Sequence, residues 1–247
     1  MGFIYNSKTY TLVRDKKTFY LKTIASSDST QVIDIVYSSR YIIELIGGGS
    51  GGIQKIADTG STAVSGGSGG YIKALYSLNE GDILYFRPGS GGAGVTDVNY
   101  DPVIGKAGKE SFLQITRDES SWVSITSGGA PAGVAKRPSE TSLPSTGGIN
   151  IIHNNTSIER IISNTSIAGR YVTDVGYSHP EIERTLSPMT YTLTGYGSGG
   201  GTTSSGATGG DNGGFKITGI YDYPIEGYTD TITSYQLCPL IYNNKFY

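Results

Sequence analysis

The sequence predicts a mainly β protein, in which short antiparallel strands are combined with a bundle of glycine-rich threefold helices and little α-helix. Three observations predict it. Short β-branched and aromatic runs recur along the chain with turn residues between them. Glycine tracts adjoin those runs directly, as where Tyr41–Ile46 enters Gly47–Gly52. Apolar residues at helical spacing are scarce. The composition agrees: of 247 residues 37 are glycine, and only 16% are charged, against about 25% in an ordinary domain. A chain of this length can still bury a substantial core. Its 19 tyrosines against 6 phenylalanines favour rings that keep one polar edge in water.

Taken in order, residues 3–24 alternate loosely, turn at Asn6–Ser7 and Arg14–Lys17, and read as strands. Residues 32–36 and 41–46 are two strands split at Ser38–Ser39. Gly66–Gly70 leads into the strand YIKALYSL, the turn Asn79–Asp82 into ILYFRP, and Gly89–Gly94 follows. SFLQIT and SWVSIT form a hairpin across Arg117–Ser120, and residues 127–149 read as a Gly/Pro/Ser-rich loop. Thr156 and Glu159 have capping-box spacing with Ile158, Ile161 and Ile162 on one face, which suits a short helix. Pro180 suits the first turn of another in SHPEIERTL. MTYTLTG is then a strand, the longest glycine tract follows, and FKITGIY closes the pattern. Residues 1–31 form an N-terminal docking segment, 32–222 the glycine-rich domain with a glycine-poor insertion at about 127–194, and 223–247 a Tyr-rich tail.

One plan occurs twice. In 41–75 and again in 189–221 a β-branched strand enters G-S-G-G and a Ser/Thr/Ala-rich spacer follows. A second glycine cluster then ends at an aromatic-led strand, at Tyr71 and at Phe215. A disordered linker has no reason to keep such a frame. Ordering a glycine costs about 0.5–1 kcal/mol more than ordering alanine, so some twenty of them cost on the order of 10–20 kcal/mol. That exceeds typical net stability. Bare main chain can offset it in an extended threefold helix whose N–H and C=O groups all point outward to neighbouring helices. The expected structural glycines are Gly47, Gly48, Gly49, Gly51, Gly52, Gly66, Gly67, Gly69, Gly70, Gly89, Gly91 and Gly92. Gly199, Gly200, Gly201, Gly209, Gly210, Gly213 and Gly214 complete the set.

Other uses of these motifs fit less well. Gly47, Gly49 and Gly52 match G-x-G-x-x-G, but no helix follows to hold a pyrophosphate, and the same pattern recurs at Gly89 and Gly195. G-x-S-x-G occurs around Ser50 and Ser68 without the parallel strands and helices of a hydrolase. Cys238 is alone, and His153 and His179 fit no zinc spacing. The expectation is therefore no catalytic residue, no metal and no cofactor, with Glu119/Asp118 and Glu181/Glu183 read as solvated faces. A net charge of −2 without a basic patch argues against nucleic acid as a partner. The N-terminus lacks a signal-peptide pattern and no apolar run is long enough for a membrane helix, so no membrane insertion is expected. The sequons at Asn154, Asn155 and Asn164 then read as chance matches.

The order IDIVYSSRYIIELIGGGSGG, GGSGGYIKALYSLNEGDILYFRPGSGG, GKAGKESFLQI, VSITSGGAPAG and YGSGGGTTSSGATGGDNGGFKITGIY resembles the glycine-rich (polyglycine II) domain of bacteriophage tail-fibre tips and other virion attachment proteins, over roughly residues 32–222. The resemblance implies packed threefold glycine helices, receptor recognition by loops at the end of the bundle, and no catalysis. It implies a virion protein that binds a bacterial surface receptor, protein or glycan, and meets other virion proteins through residues 1–31; a homo-oligomer is compatible with it. Tyr100, Trp122, Tyr177 and Tyr196 are the candidate receptor contacts, with packing beneath loops as their alternative use. Two other functions stand beside this one: a non-catalytic structural virion protein, such as a decoration or joining subunit, and a surface polysaccharide depolymerase. The 127–194 segment is where the sequence departs from that pattern.

Overall fold

The computed structural model describes residues 2–5, 8–11, 17–25, 30–36, 38–57, 60–98, 101–117, 120–153, 158–174, 179–188, 196–221, 241–242 and 245–246. The described part is mainly β, with predominantly antiparallel sheets and no helix.

The strands in chain order begin with β1 (Gly2–Tyr5), β2 (Lys8–Thr11), β3 (Lys17–Ala25), β4 (Gln31–Asp34) and β5 (Ser39–Ile46). Next come β6 (Ile53–Ala57), β7 (Gly60–Val64), β8 (Tyr71–Leu78), β9 (Ile83–Arg87), β10 (Val95–Asp97) and β11 (Val103–Ile104). The middle of the chain supplies β12 (Ser111–Arg117), β13 (Ser120–Ser127), β14 (Val134–Ala135), β15 (Asn150–Ile152), β16 (Ile158–Thr165) and β17 (Tyr171–Asp174). The remainder are β18 (Thr202–Thr203), β19 (Gly206–Ala207), β20 (Gly214–Tyr221), β21 (Ile241–Tyr242) and β22 (Lys245–Phe246).

Two five-stranded antiparallel sheets, ordered β16-β8-β5-β20-β3 and β15-β13-β12-β9-β4, enclose the main hydrophobic core. Alternation decides which residues enter it. Tyr41, Ile43 and Leu45 of β5 face in, with Ile72, Ala74 and Tyr76 of β8 and Phe215 and Ile217 of β20. The second sheet meets them with Leu84 and Phe86, Leu113 and Ile115, and Ile125. Phe86 and Phe215 join the sheets by stacking, with ring centroids 4.8 Å apart and planes at 26°. At one rim Arg117 forms a two-pronged bond with Asp82, at 2.8 and 2.9 Å; that carboxylate is fully buried and also accepts the Asn79 N–H.

The predicted hairpin across 117–120 is present as β12–β13, and Trp122 falls at its register shift, with Ser121 and Val123 pairing instead. The two short helices are not formed. Residues 158–165 are the edge strand β16, antiparallel to β8. The Ile158–Ile162 pattern serves a strand lying against a sheet edge, where cross-strand bonds outweigh local helical spacing. Ile182 and Thr185 make single bridges to Thr202 and Gly199, so SHPEIERTL is extended over its described part. The expected strand at MTYTLTG lies outside the described residues, as does Cys238.

A third sheet, β10-β6-β7-β17, stands apart from the sandwich and includes one parallel pair, β10 with β6. Ile53 and Val64 of this sheet pack with Val103 and Ala135 in a separate small core. Between the sandwich and this distal sheet run the glycine tracts. Gly47–Gly52 carries the chain from β5 out to β6, and Ser65–Gly70 returns it from β7 to β8.

Candidate functional site: the glycine lattice and its distal loops

Segment 47–52 shows how the lattice is built. Gly47 and Ser50 donate their N–H groups to the carbonyls of Gly70 and Gly67, Gly48 and Gly51 to Lys109 and Lys106, and Gly49 and Gly52 to Asp211 and Thr208. Successive residues thus address different neighbours, and every third residue returns to the same one. In each case the partner number falls by three, so these neighbours run antiparallel. Acceptors obey the same frame. Gly49 and Gly52 receive N–H groups from Gly92 and Val95, Ser50 from Gly200, and Gly48 from Ala130. The 92–95 tract runs parallel to 47–52. A strand in a sheet has neighbours on two sides only; this segment is surrounded.

Other segments continue the pattern. Gly66 and Gly69 donate to Gly200 and Gly197, Ser65 and Ser68 to Arg170 and Ile167, and Gly105 and Gly108 to Gly133 and Ala130. Gly210 donates to Gly92, Gly213 to Gly89, and Gly199 to Thr185. Glycine is required because main chain touches main chain. A Cβ on Gly48, Gly51, Gly66, Gly69 or Gly199 would collide with the carbonyl oxygen of Ser90, Ala93, Ser50, Gly47 or Gly66 respectively.

Serine and threonine hydroxyls complete the lattice where main chain does not reach. Ser50 Oγ accepts the Gly67 N–H at 2.9 Å, and Ser68 Oγ accepts the Ile167 N–H at 2.8 Å. Ser111 Oγ accepts the Gly89 N–H and donates to the Ile46 carbonyl, at 2.9 and 2.7 Å, joining lattice to sandwich. Gly91 donates to Asn212 Oδ1 and Gly201 to Thr208 Oγ1. Of the remaining expected glycines, Gly209 offers its carbonyl to Arg184, and Gly214 begins β20.

The sequence reading found the longer glycine runs and missed the segments with few glycines or none. Residues 105–109, 128–133, 145–148, 167–170 and 182–185 also bond into the lattice, mostly from within the stretch expected as a loop or insertion. The available signal was sparse: single glycines at Gly105, Gly108, Gly133 and Gly169, and the pairs Gly128–Gly129 and Gly147–Gly148. Segment 182–185 has no glycine and lies at the periphery, with Glu183 and Arg184 exposed and Thr185 buried against the Gly66 carbonyl.

At the distal end, turns join the outgoing and returning segments. The described residues there are 97–98 with 101–103, 136–142, 179–182 and 203–206. Of the candidate contacts, Tyr100 and Tyr177 lie outside the described residues. Trp122 is in β13 of the sandwich. Tyr196 packs on Ile46 and Tyr71 where the lattice meets the sandwich, away from the distal turns. His153 and His179 are exposed and far apart in the fold's order, one after β15 and one at a distal turn. An open groove of about 960 Å³ runs along the flank, bounded by Pro88–Ser90, Gly108–Glu110, Gly128–Gly129 and Thr146–Gly147; Glu110 is the one carboxylate among its lining residues. No family model matches the chain, and no curated protein matches it.

Proposed function

We propose that this chain is a virion fibre-tip or attachment protein, which binds a bacterial surface receptor through the loops at the distal end of a glycine scaffold. On this reading the glycine segments are polyglycine II helices, extended threefold helices packed side by side. The three-residue return of hydrogen bonds around Gly47–Gly52, to antiparallel and parallel neighbours alike, is the observation that carries it. A helix with no internal hydrogen bonds must bond to neighbours in all directions, and a bundle of them makes a stiff rod whose ends are free for loops.

The rod separates two tasks. The sandwich gathers the β5, β8 and β20 strands at one end, with β3 of the N-terminal segment at its edge. The distal turns at the other end are largely exposed, and exposed loops on a rigid support are where binding residues concentrate. Catalysis is not part of this proposal. Sugar hydrolysis needs two carboxylates flanking one bond, whereas the flank groove offers Glu110 beside Arg87 and Lys109. The segment 1–31 is assigned to contacts with other virion proteins.

Purified protein tests this directly. It is expected to bind whole cells of a susceptible strain saturably, to compete with virions for adsorption, and to release no reducing sugar from capsule. Binding confined to other virion proteins would overturn it in favour of a joining subunit.

A further inference from the structure

The distal sheet is covered on both faces, and different loops cover each. β6 is an inner strand of that sheet. Its adjacent residues Gln54 and Lys55 are both buried, at 0% and 3% exposure. Neighbouring residues of a strand point to opposite faces. On one face Lys55 Nζ lies 3.4 Å from Asp101 Oδ1, and Arg137 Nε bonds the other oxygen of the same carboxylate. Asp101 therefore ties two turns, the one ending at Pro102 and the one that starts at Lys136, to β6. β11 and β14, which flank those turns, bring Val103 and Ala135 onto Ile53 and Val64 on that side.

Gln54 works on the opposite face. Its Nε2 donates to the carbonyls of Pro180 and Thr203 at 3.4 and 3.3 Å. Thr202 Oγ1 donates to the same Pro180 carbonyl, and the Ser204 N–H to Glu181 Oε1, so the 179–182 and 203–206 turns are bonded to each other as well. The Ala207 N–H donates to Thr96 Oγ1, on the strand next to β6 and, as the register partner of Gln54, on Gln54's face of the sheet.

We propose that the contact surface at the distal end consists of two separately held halves, with Asp101 as the positioning residue of one and Gln54 of the other. This rests on the attachment reading above. The chemistry of the two anchors differs. Lys55 is an ammonium with 4% side-chain exposure, and Asp101 supplies a carboxylate beside it; losing that carboxylate costs more than an exposed ion pair would. Gln54 is a neutral amide whose Oε1 has no hydrogen-bond partner, so its hold is weaker and depends on the two carbonyls alone. A receptor that touches both halves reads them as independent sites, whose losses multiply.

The test uses the full chain with D101N, R137Q and Q54M, read by amide NMR shifts and by binding to whole host cells. D101N is expected to shift amides over 97–103 and 136–142 while leaving Ser204–Ala207 in place, and Q54M to do the reverse. R137Q, at an exposed side chain, keeps the fold secure and is expected to shift 136–142. Each of D101N and Q54M is expected to weaken binding about tenfold, with the double variant near the product. Shifts spread equally over both pairs of turns, or confined to the mutated residue, overturn the proposal. Wild-type protein that binds no cells overturns the attachment reading, while the shift pattern still decides this one.

Discussion

Gly51 lies against Ala93 so closely that a methyl group on Gly51 would overlap the Ala93 carbonyl oxygen. The two belong to parallel tracts, and no side chain stands near that could turn aside; the obstacle is backbone held by its own hydrogen bonds. Relief needs a shift of one tract, which would break the bonds of Gly51 to Lys106 and of Val95 to Gly52. G51A is therefore expected to destabilise by about 3 kcal/mol or more, the upper range for overpacking. At Gly209 the nearest obstacle to a Cβ is the Gly92 oxygen at 3.2 Å, so G209A should cost well under half as much. Denaturant midpoints of the two variants check the contrast, and equal losses would contradict backbone-on-backbone packing.

Ser111 replaces a main-chain partner at the seam between lattice and sandwich. Its fully buried hydroxyl serves both the Gly89 N–H and the Ile46 carbonyl. S111A removes little volume and leaves both groups without that bond, so about 2–6 kcal/mol should be lost, at about 1–3 kcal/mol per buried group. S204A, at an exposed turn, is the comparison and should be near neutral. Thermal unfolding of both distinguishes a bonding role for the hydroxyl from a packing one.

Burial pushes the Tyr76 phenol well above its ordinary value near 10. The folded protein keeps it neutral, whereas the unfolded chain ionises it from about pH 10 upward. Its contribution to stability is therefore complete below pH 10 and shrinks as pH rises beyond it. The expected outcome is a steeper loss of stability between pH 10 and 11.5 for the wild type than for Y76F, both measured by urea titration. Parallel curves would mean that the ring reaches water.

The strands were largely legible because alternation and turn residues are local. β8, β9, β12 and β13 follow from runs such as YIKALYSL and from the break at Arg117–Ser120. Residues 158–165 misled because Ile158, Ile161 and Ile162 suit a helix as well as a strand, and the deciding partner, β8, is some ninety residues away in sequence. The lattice was half legible. Where a tract is enclosed, as at 47–52, every inward position needs glycine or serine and the run is conspicuous. Where a tract lies at the rim, as at 182–185, one side is open, side chains fit there, and backbone bonding leaves no mark on composition. The anchors of the distal turns were invisible for a related reason: Gln54 and Lys55 look like an ordinary exposed polar pair until β6 is found covered on both faces.

Amide hydrogen exchange over Gly47–Gly52 and Ser65–Gly70 tests the central claim most directly, because it reads main-chain bonding where there are no side chains to read. The account predicts that Gly48, Gly49, Ser50, Gly66 and Gly69 exchange as slowly as Ile43 and Leu45 in the sandwich, through opening of the whole domain. Exchange at those glycines at the rate of an unstructured peptide, with the sandwich still protected, would contradict it.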